Sequence, residues 1–152
     1  MELIFRGIKR IADEFKEVEI VYPVHLNPHV QKPAKKILGK HPRIHLTKPL
    51  VYPDMVKLMK SCHLAATDSG GIQEEAPAFN KPVLVLRDET ERVEGIKAGT
   101  LKLVGTSEEK VYNSTKKLLE DKKEYQKMAQ AKNPYGDGKA SQRIARIILK
   151  NL

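Results

Sequence analysis

Hydrophobic and polar positions along this chain switch between two periods, and each switch marks an element. In residues 3–15, "LIFRGIKRIADEF", Ile4, Ile8, Ile11 and Phe15 fall on one stripe, the spacing of an amphipathic helix. "VEIVYPV", residues 18–24, is a β-branched run ending near Pro23 and reads as a buried strand. "NPHVQKPAKKIL" returns to helical spacing, with Asn27 as its cap, Pro28 at the first helical position and Gly39 as its stop. "RIHLTKP" is the next strand, and "YPDMVKLMKSC" a short helix with Met55, Leu58 and Met59 inward. "HLAATDS", "PVLVLRD" and "TLKLVG" are three more short apolar strands. "SEEKVYNSTKKLLED" opens on Ser107 with acids in its first turn, where the helix dipole favours them. "KKEYQKMAQA" and "KASQRIARIILKNL" are the last helices, either side of the turn "NPYGDG".

Strands alternating with helices over short connections predict βα units and an α/β fold with a mostly parallel sheet. Nothing in the chain repeats and no low-complexity linker divides it, so residues 1–152 read as one domain. In such sheets ligands lie beyond the carboxyl ends of the strands. That expectation gathers His25, Ser69 and Asp88, each ending a strand, around one crevice.

Composition narrows the classes of function. Hydrophobic residues are 40% and charged residues 31%, a globular balance rather than a disordered one. No apolar run approaches the ~20 residues that span a bilayer, and the opening residues lack the pattern of a signal peptide, so no membrane partner is expected. The lone Cys62 excludes an internal disulfide framework and fits a reducing cytoplasm; its apolar neighbours make it a small core residue. A net charge of +9 suits an anionic ligand. Aromatics are only 5% with no Trp and the lysines are scattered, which argues against nucleic acid.

The stretch "ATDSGGIQEEAP", residues 65–76, carries the candidate chemistry. A serine nucleophile is one reading, but both "GDSGG" and the G-x-S-x-G elbow want a glycine where Thr67 stands, and the alternating pattern contradicts an antiparallel barrel. A second reading is a phosphate cradle. Backbone amides of Ser69, Gly70 and Gly71 at a helix start would hold a diphosphate, although neither G-x-x-x-x-G-K nor G-x-G-x-x-G is present. The third is an ordinary turn capped by Ser69. Spacing alone leaves cradle and turn level. Glu74 and Glu75 follow in the first helical turns, where one of them would accept hydrogen bonds from a ribose diol and dipole complementation explains the other. Arg87 and Arg92 after the next strand suit phosphate oxygens, and a surface pair with Asp88 or Glu91 suits them equally.

"VYPVHLNP", "TDSGGIQEEAP", "KPVLVLRDETERVEG", "AGTLKLVGT" and "NPYGDGKASQRI" together resemble the carboxyl-terminal half of the non-hydrolysing UDP-N-acetylglucosamine 2-epimerases, over essentially residues 1–150. The resemblance implies one Rossmann-like half of a glycosyltransferase-B-type fold, in which UDP-sugar lies between two domains. It implies an isomerase that interconverts UDP-GlcNAc and UDP-ManNAc by eliminating UDP and adding it back, within polysaccharide-precursor biosynthesis. It also implies that Ser69, Gly70 and Gly71 bind the UDP phosphates, Glu75 the ribose, and Arg92 the diphosphate. Leu50 would meet uracil through its backbone with Met55 nearby. His25 would help hold a second, regulatory UDP-GlcNAc, its plain alternative being a strand-end histidine bonded to neighbouring backbone.

The same resemblance implies that the family's acid/base carboxylates, and the strand before the first helix, lie outside this sequence. The expectations are therefore no catalytic residue, metal or cofactor here, no turnover without a separate amino-terminal domain, and a homo-oligomer as the state of the chain. A non-catalytic UDP-sugar-binding protein or gene remnant is the alternative. With its first central strand missing, the sheet would either pair residues 18–24 with residues 63–69 directly or need a donor strand.

Overall fold

The computed structural model describes residues 1–151. Five short parallel strands alternate with helices, as the period switches predict. β1 is Ile20–Pro23, β2 Ile44–Thr47, β3 Ala65–Thr67, β4 Val83–Val85 and β5 Leu101–Leu103. The helices are α1 (Glu2–Glu14), α2 (Pro28–Leu38), α3 (Tyr52–Ser61), α4 (Gly70–Glu75), α5 (Val93–Ala98), α6 (Glu108–Glu120), α7 (Lys122–Ala129) and α8 (Ala140–Lys150). A 3-10 turn, Ala76–Phe79, continues α4 and stops at Asn80, whose φ of 57° puts it in the left-handed region. Asn27 and Ser107 cap α2 and α6 through their side chains, as read from the sequence. The expected helix over 139–152 is seen over Ala140–Lys150; Leu152 lies outside the described residues.

β4 explains the layering. Its three residues are all buried, so the apolar run "VLV" needs no polar alternation. Leu84 faces a core with Phe5 of α1 and Val111 and Leu118 of α6. Val83 and Val85 face Met59 of α3, Ala76 and Leu101. Helices therefore cover both sides of the strands, the doubly wound arrangement.

The strands do not make one sheet. β1 pairs only with β2, and β3, β4 and β5 form a separate ladder. Direct pairing of residues 18–24 with residues 63–69, one of the two expected outcomes, is not what the described residues adopt. β1 and β3 are both short, and Val21 and Ala66 at their centres are exposed, so water reaches strand surfaces that a continuous parallel sheet would cover. One apolar core nevertheless joins the ladders, since Val24 and Ile44 belong to the same cluster as Leu84 and Leu86.

Candidate functional site

The site begins with Thr67, the last residue of β3. It is buried, and its Oγ1 accepts the Ser69 backbone N–H at 3.0 Å, which bends the chain from strand into helix. Ser69 stands at the N-cap of α4 with extended dihedrals, but its hydroxyl makes no cap hydrogen bond. The plain reading, in which Ser69 serves as the cap, therefore lacks its defining bond.

The two glycines are not there for a left-handed backbone, because neither has a positive φ. Their role is space. A Cβ on Gly70 would lie 3.2 Å from Arg92 Nη2, tighter than most side-chain contacts. A Cβ on Gly71 would meet Glu75 Oε1 at 3.7 Å and Ser69 Oγ at 3.9 Å, so both oxygens flank that glycine. Ser69, Gly70, Gly71, Glu75 and Arg92 thus share one small surface. α4 has only six residues, and so short a helix carries little of the macrodipole; the positive charge at this turn is chiefly Arg92.

Arg92 reaches the turn from the loop after β4, at the N-cap of α5. Its Nε donates to Glu74 Oε1 at 2.5 Å, and its Nη1 lies 3.4 Å from Glu91 Oε1. Its backbone N–H donates to Thr90 Oγ1 at 3.2 Å, and that hydroxyl donates to Gln73 Oε1 at 2.6 Å. The adjacent acids divide accordingly: Glu74 orients Arg92, while the half-buried Glu75 lies beside Gly71. Arg87 pairs with Glu91 at 3.1 Å, the surface pairing considered for it. The Glu91 carboxyl is held below its ordinary pKa first by its own backbone N–H, then by Arg87 and Arg92.

The other expected residues come from other segments of the chain. Met55 is half-buried and packs against the core cluster of Val83, Val85 and Leu101, as Ile72 of α4 also does. Leu50 is half-buried in the connection between β2 and α3. His25 is exposed after β1, and its Nδ1 accepts the Asn27 N–H at 3.1 Å, the neighbouring-backbone bond weighed for it. Asp88 follows β4, and its Oδ1 lies beside Gly105 just past the carboxyl end of β5, where a Cβ on that glycine would come within 3.0 Å of it. Sequence reasoning missed Thr90 and Gln73, whose bond spans 17 residues. It also missed Tyr135, whose ring packs against the core cluster that holds Val83 and Leu101 and whose buried hydroxyl, beside Gly95, has no partner. Among the described residues no group of three or more His, Cys, Asp or Glu is placed to hold a metal ion, and no helix is long and apolar enough to cross a membrane.

Parallel strands between two helical layers, with a Ser-Gly-Gly turn and an anchored arginine beyond their carboxyl ends, define a Rossmann-like domain, one half of a glycosyltransferase-B-type fold. Over residues 1–149 the chain matches the UDP-N-acetylglucosamine 2-epimerase family model, and it belongs to that family. A UDP-N-acetylglucosamine 2-epimerase of Bacillus subtilis (strain 168) is 56% identical over 149 residues, 98% of this chain and 39% of that protein. The S. aureus MnaA structure with UDP superposes with a TM-score of 0.93 at 52% identity, covering 97% of this chain and 40% of that one. The UDP-GlcNAc 2-epimerase of Neisseria meningitidis, bound to UDP-GlcNAc, superposes at 0.92 with 45% identity over 98% of this chain and 40% of that one. The chain spans about two fifths of the length of these relatives.

Proposed function

We propose that this chain forms the UDP-holding half of a UDP-GlcNAc 2-epimerase site. The observation that carries the reading is the anchored Arg92 over Gly70, with Ser69 and Glu75 flanking Gly71. A diphosphate at this turn would meet the guanidinium, the Ser69 hydroxyl and the amides of Gly70 and Gly71, and charge-assisted bonds of this kind are the strong ones. Glu75, not engaged with Arg92, would accept the ribose hydroxyls. Leu50 would meet the base through its backbone, with Met55 behind it, and His25 would face a second, regulatory UDP-GlcNAc.

The chemistry follows from what these groups do. A cation and amide donors stabilise UDP as it leaves the sugar and hold it for re-addition. Removing and replacing the C2 proton needs an acid/base group at the sugar. Glu74 is committed to Arg92, so we assign that group to a separate amino-terminal epimerase domain and expect no turnover by residues 1–152 alone. The setting is a cytoplasmic homo-oligomer that supplies polysaccharide precursors.

The test is a calorimetric titration of UDP into the purified chain, beside a Ser69→Ala, Glu75→Ala double variant. Saturable binding that weakens at least about tenfold in the variant is the expected result, equivalent to about 1.4 kcal/mol. Binding without turnover even beside an amino-terminal domain would favour a non-catalytic UDP-sugar-binding protein. Absence of binding would reduce the turn to architecture.

A further inference from the structure

We propose that Gln73 and Thr90 are positioning residues that hold Arg92 in place for a nucleoside diphosphate, through a one-way hydrogen-bond relay. The inference rests on the reading that Arg92 meets the diphosphate of UDP. Gln73 lies in α4 with no exposed surface, an unusual place for an amide. Its Oε1 accepts the Thr90 hydroxyl at 2.6 Å. With its single proton so used, that hydroxyl presents only lone pairs to the other side, and it accepts the Arg92 N–H at 3.2 Å. Gln73 therefore dictates the direction of the Thr90 hydroxyl, and the hydroxyl fixes the backbone from which the guanidinium extends.

The relay ties together the two segments that build the site. α4 supplies Gln73 and Glu74 side by side; Gln73 takes the Arg92 backbone through Thr90, and Glu74 takes the Arg92 Nε at 2.5 Å. One helix thus holds both ends of the same arginine. Glu91 Oε1, 3.4 Å from Nη1, occupies a second edge, so Nη2 is the nitrogen left toward Gly70. Val93 and Glu94, which follow, are exposed. Without the relay the Glu74 pair would remain, a half-exposed contact between long side chains that is weak unless its geometry is fixed. The Gln73 Nε2 is buried without a partner, so the amide is retained at a cost and not as a filler of apolar space.

The experiment compares wild type, Thr90→Val, Thr90→Ser, Arg92→Ala and the Thr90→Val, Arg92→Ala pair in the full chain. UDP is titrated calorimetrically, uridine is followed by NMR shifts, and the Arg92 Nε–H signal is recorded without ligand. Valine keeps the shape of threonine but neither donates nor accepts. Expected are a loss of UDP affinity of about tenfold in Thr90→Val, unchanged uridine binding, near-wild-type behaviour in Thr90→Ser, and no further loss when Thr90→Val is added to Arg92→Ala. Equal losses for UDP and uridine, or none in Thr90→Val where Arg92→Ala is weakened, would overturn the relay. If Arg92→Ala binds UDP like wild type, or wild type binds none, the functional reading falls instead. The Nε–H signal then decides the relay alone: slow exchange in wild type and fast exchange in Thr90→Val uphold it, equal exchange overturns it.

Discussion

Arg92 and Cys62 mark the two extremes of chemistry a single residue shows in this fold. Arg92 is held by carboxylates and faces a glycine; Cys62 is half-buried at the end of α3, its thiol donating to the Met59 carbonyl at 3.2 Å. Burial pushes the Cys62 pKa up, and the Lys81 charge offsets this only in part. Because the thiolate is the nucleophile, Cys62 should resist alkylation. Iodoacetamide labelling at pH 8, followed by mass spectrometry, should be at least about tenfold slower in the native chain than in urea. Equal rates would mean that the thiol is open and ionised, and that its role is not packing. The apolar neighbours of Cys62 suggest a core residue, but it is half-buried at the end of α3 and belongs to neither core cluster. The sequence did make Ser69, Gly70, Gly71 and Glu75 legible, since they are contiguous and a turn brings contiguous residues together. Gln73 and Thr90 were not legible, because a hydrogen bond across 17 residues leaves no local pattern.

Among the elements, the helix pair α1 and α6 shows how one glycine sets a packing distance. Gly7 is buried in α1, and a Cβ there would lie 2.8 Å from the Glu108 carbonyl and 3.0 Å from Val111 Cβ. The backbone carbonyl has no rotamer with which to escape. Around this contact, Arg10 bonds Glu108 at 3.3 Å and stacks over Tyr112, and Lys116 reaches Glu14 at 2.7 Å, so separating the helices disturbs several pairs at once. Gly7→Ala should therefore destabilise the chain by about 1–3 kcal/mol despite the better helix propensity of alanine. Urea unfolding followed by circular dichroism checks this, and an unchanged midpoint would show that the helices separate freely. α1, α2 and α6 were legible because each carries a long apolar stripe or an explicit cap. α5 was not: six residues make less than two turns, and its apolar Val93 and Ile96 are exposed at 47% and 36%, so no buried stripe exists to be read.

At the scale of the whole molecule, two surfaces among the described residues stand outside the chain's own core. One is the break between the ladders, where β1 and β3 have no strand between them. The alternation of elements made the five parallel strands legible, while the break between residues 18–24 and 63–69 was legible only through the family resemblance, because strand order depends on which edges meet and no local residue encodes that. The other surface is α8. Its apolar side chains keep helical spacing, yet Ile144, Ile147, Ile148 and Leu149 are exposed at 57%, 61%, 54% and 74%, and none belongs to either core cluster. Periodicity established that one face of this helix was apolar; only the structure shows that the face is not spent on the domain's own core. The energetic consequence is specific. A side chain already in water loses little when it becomes polar, so Ile144→Lys together with Ile148→Lys should shift the unfolding free energy by no more than about 0.5 kcal/mol per site. The same pair removes the adjacent apolar surface that favours association, and so should reduce any concentration-dependent mass increase in sedimentation. A large stability loss would mean that α8 packs on the domain in solution. Unchanged stability with reduced association would instead identify α8 as a face the fold reserves for contact with something other than its own core.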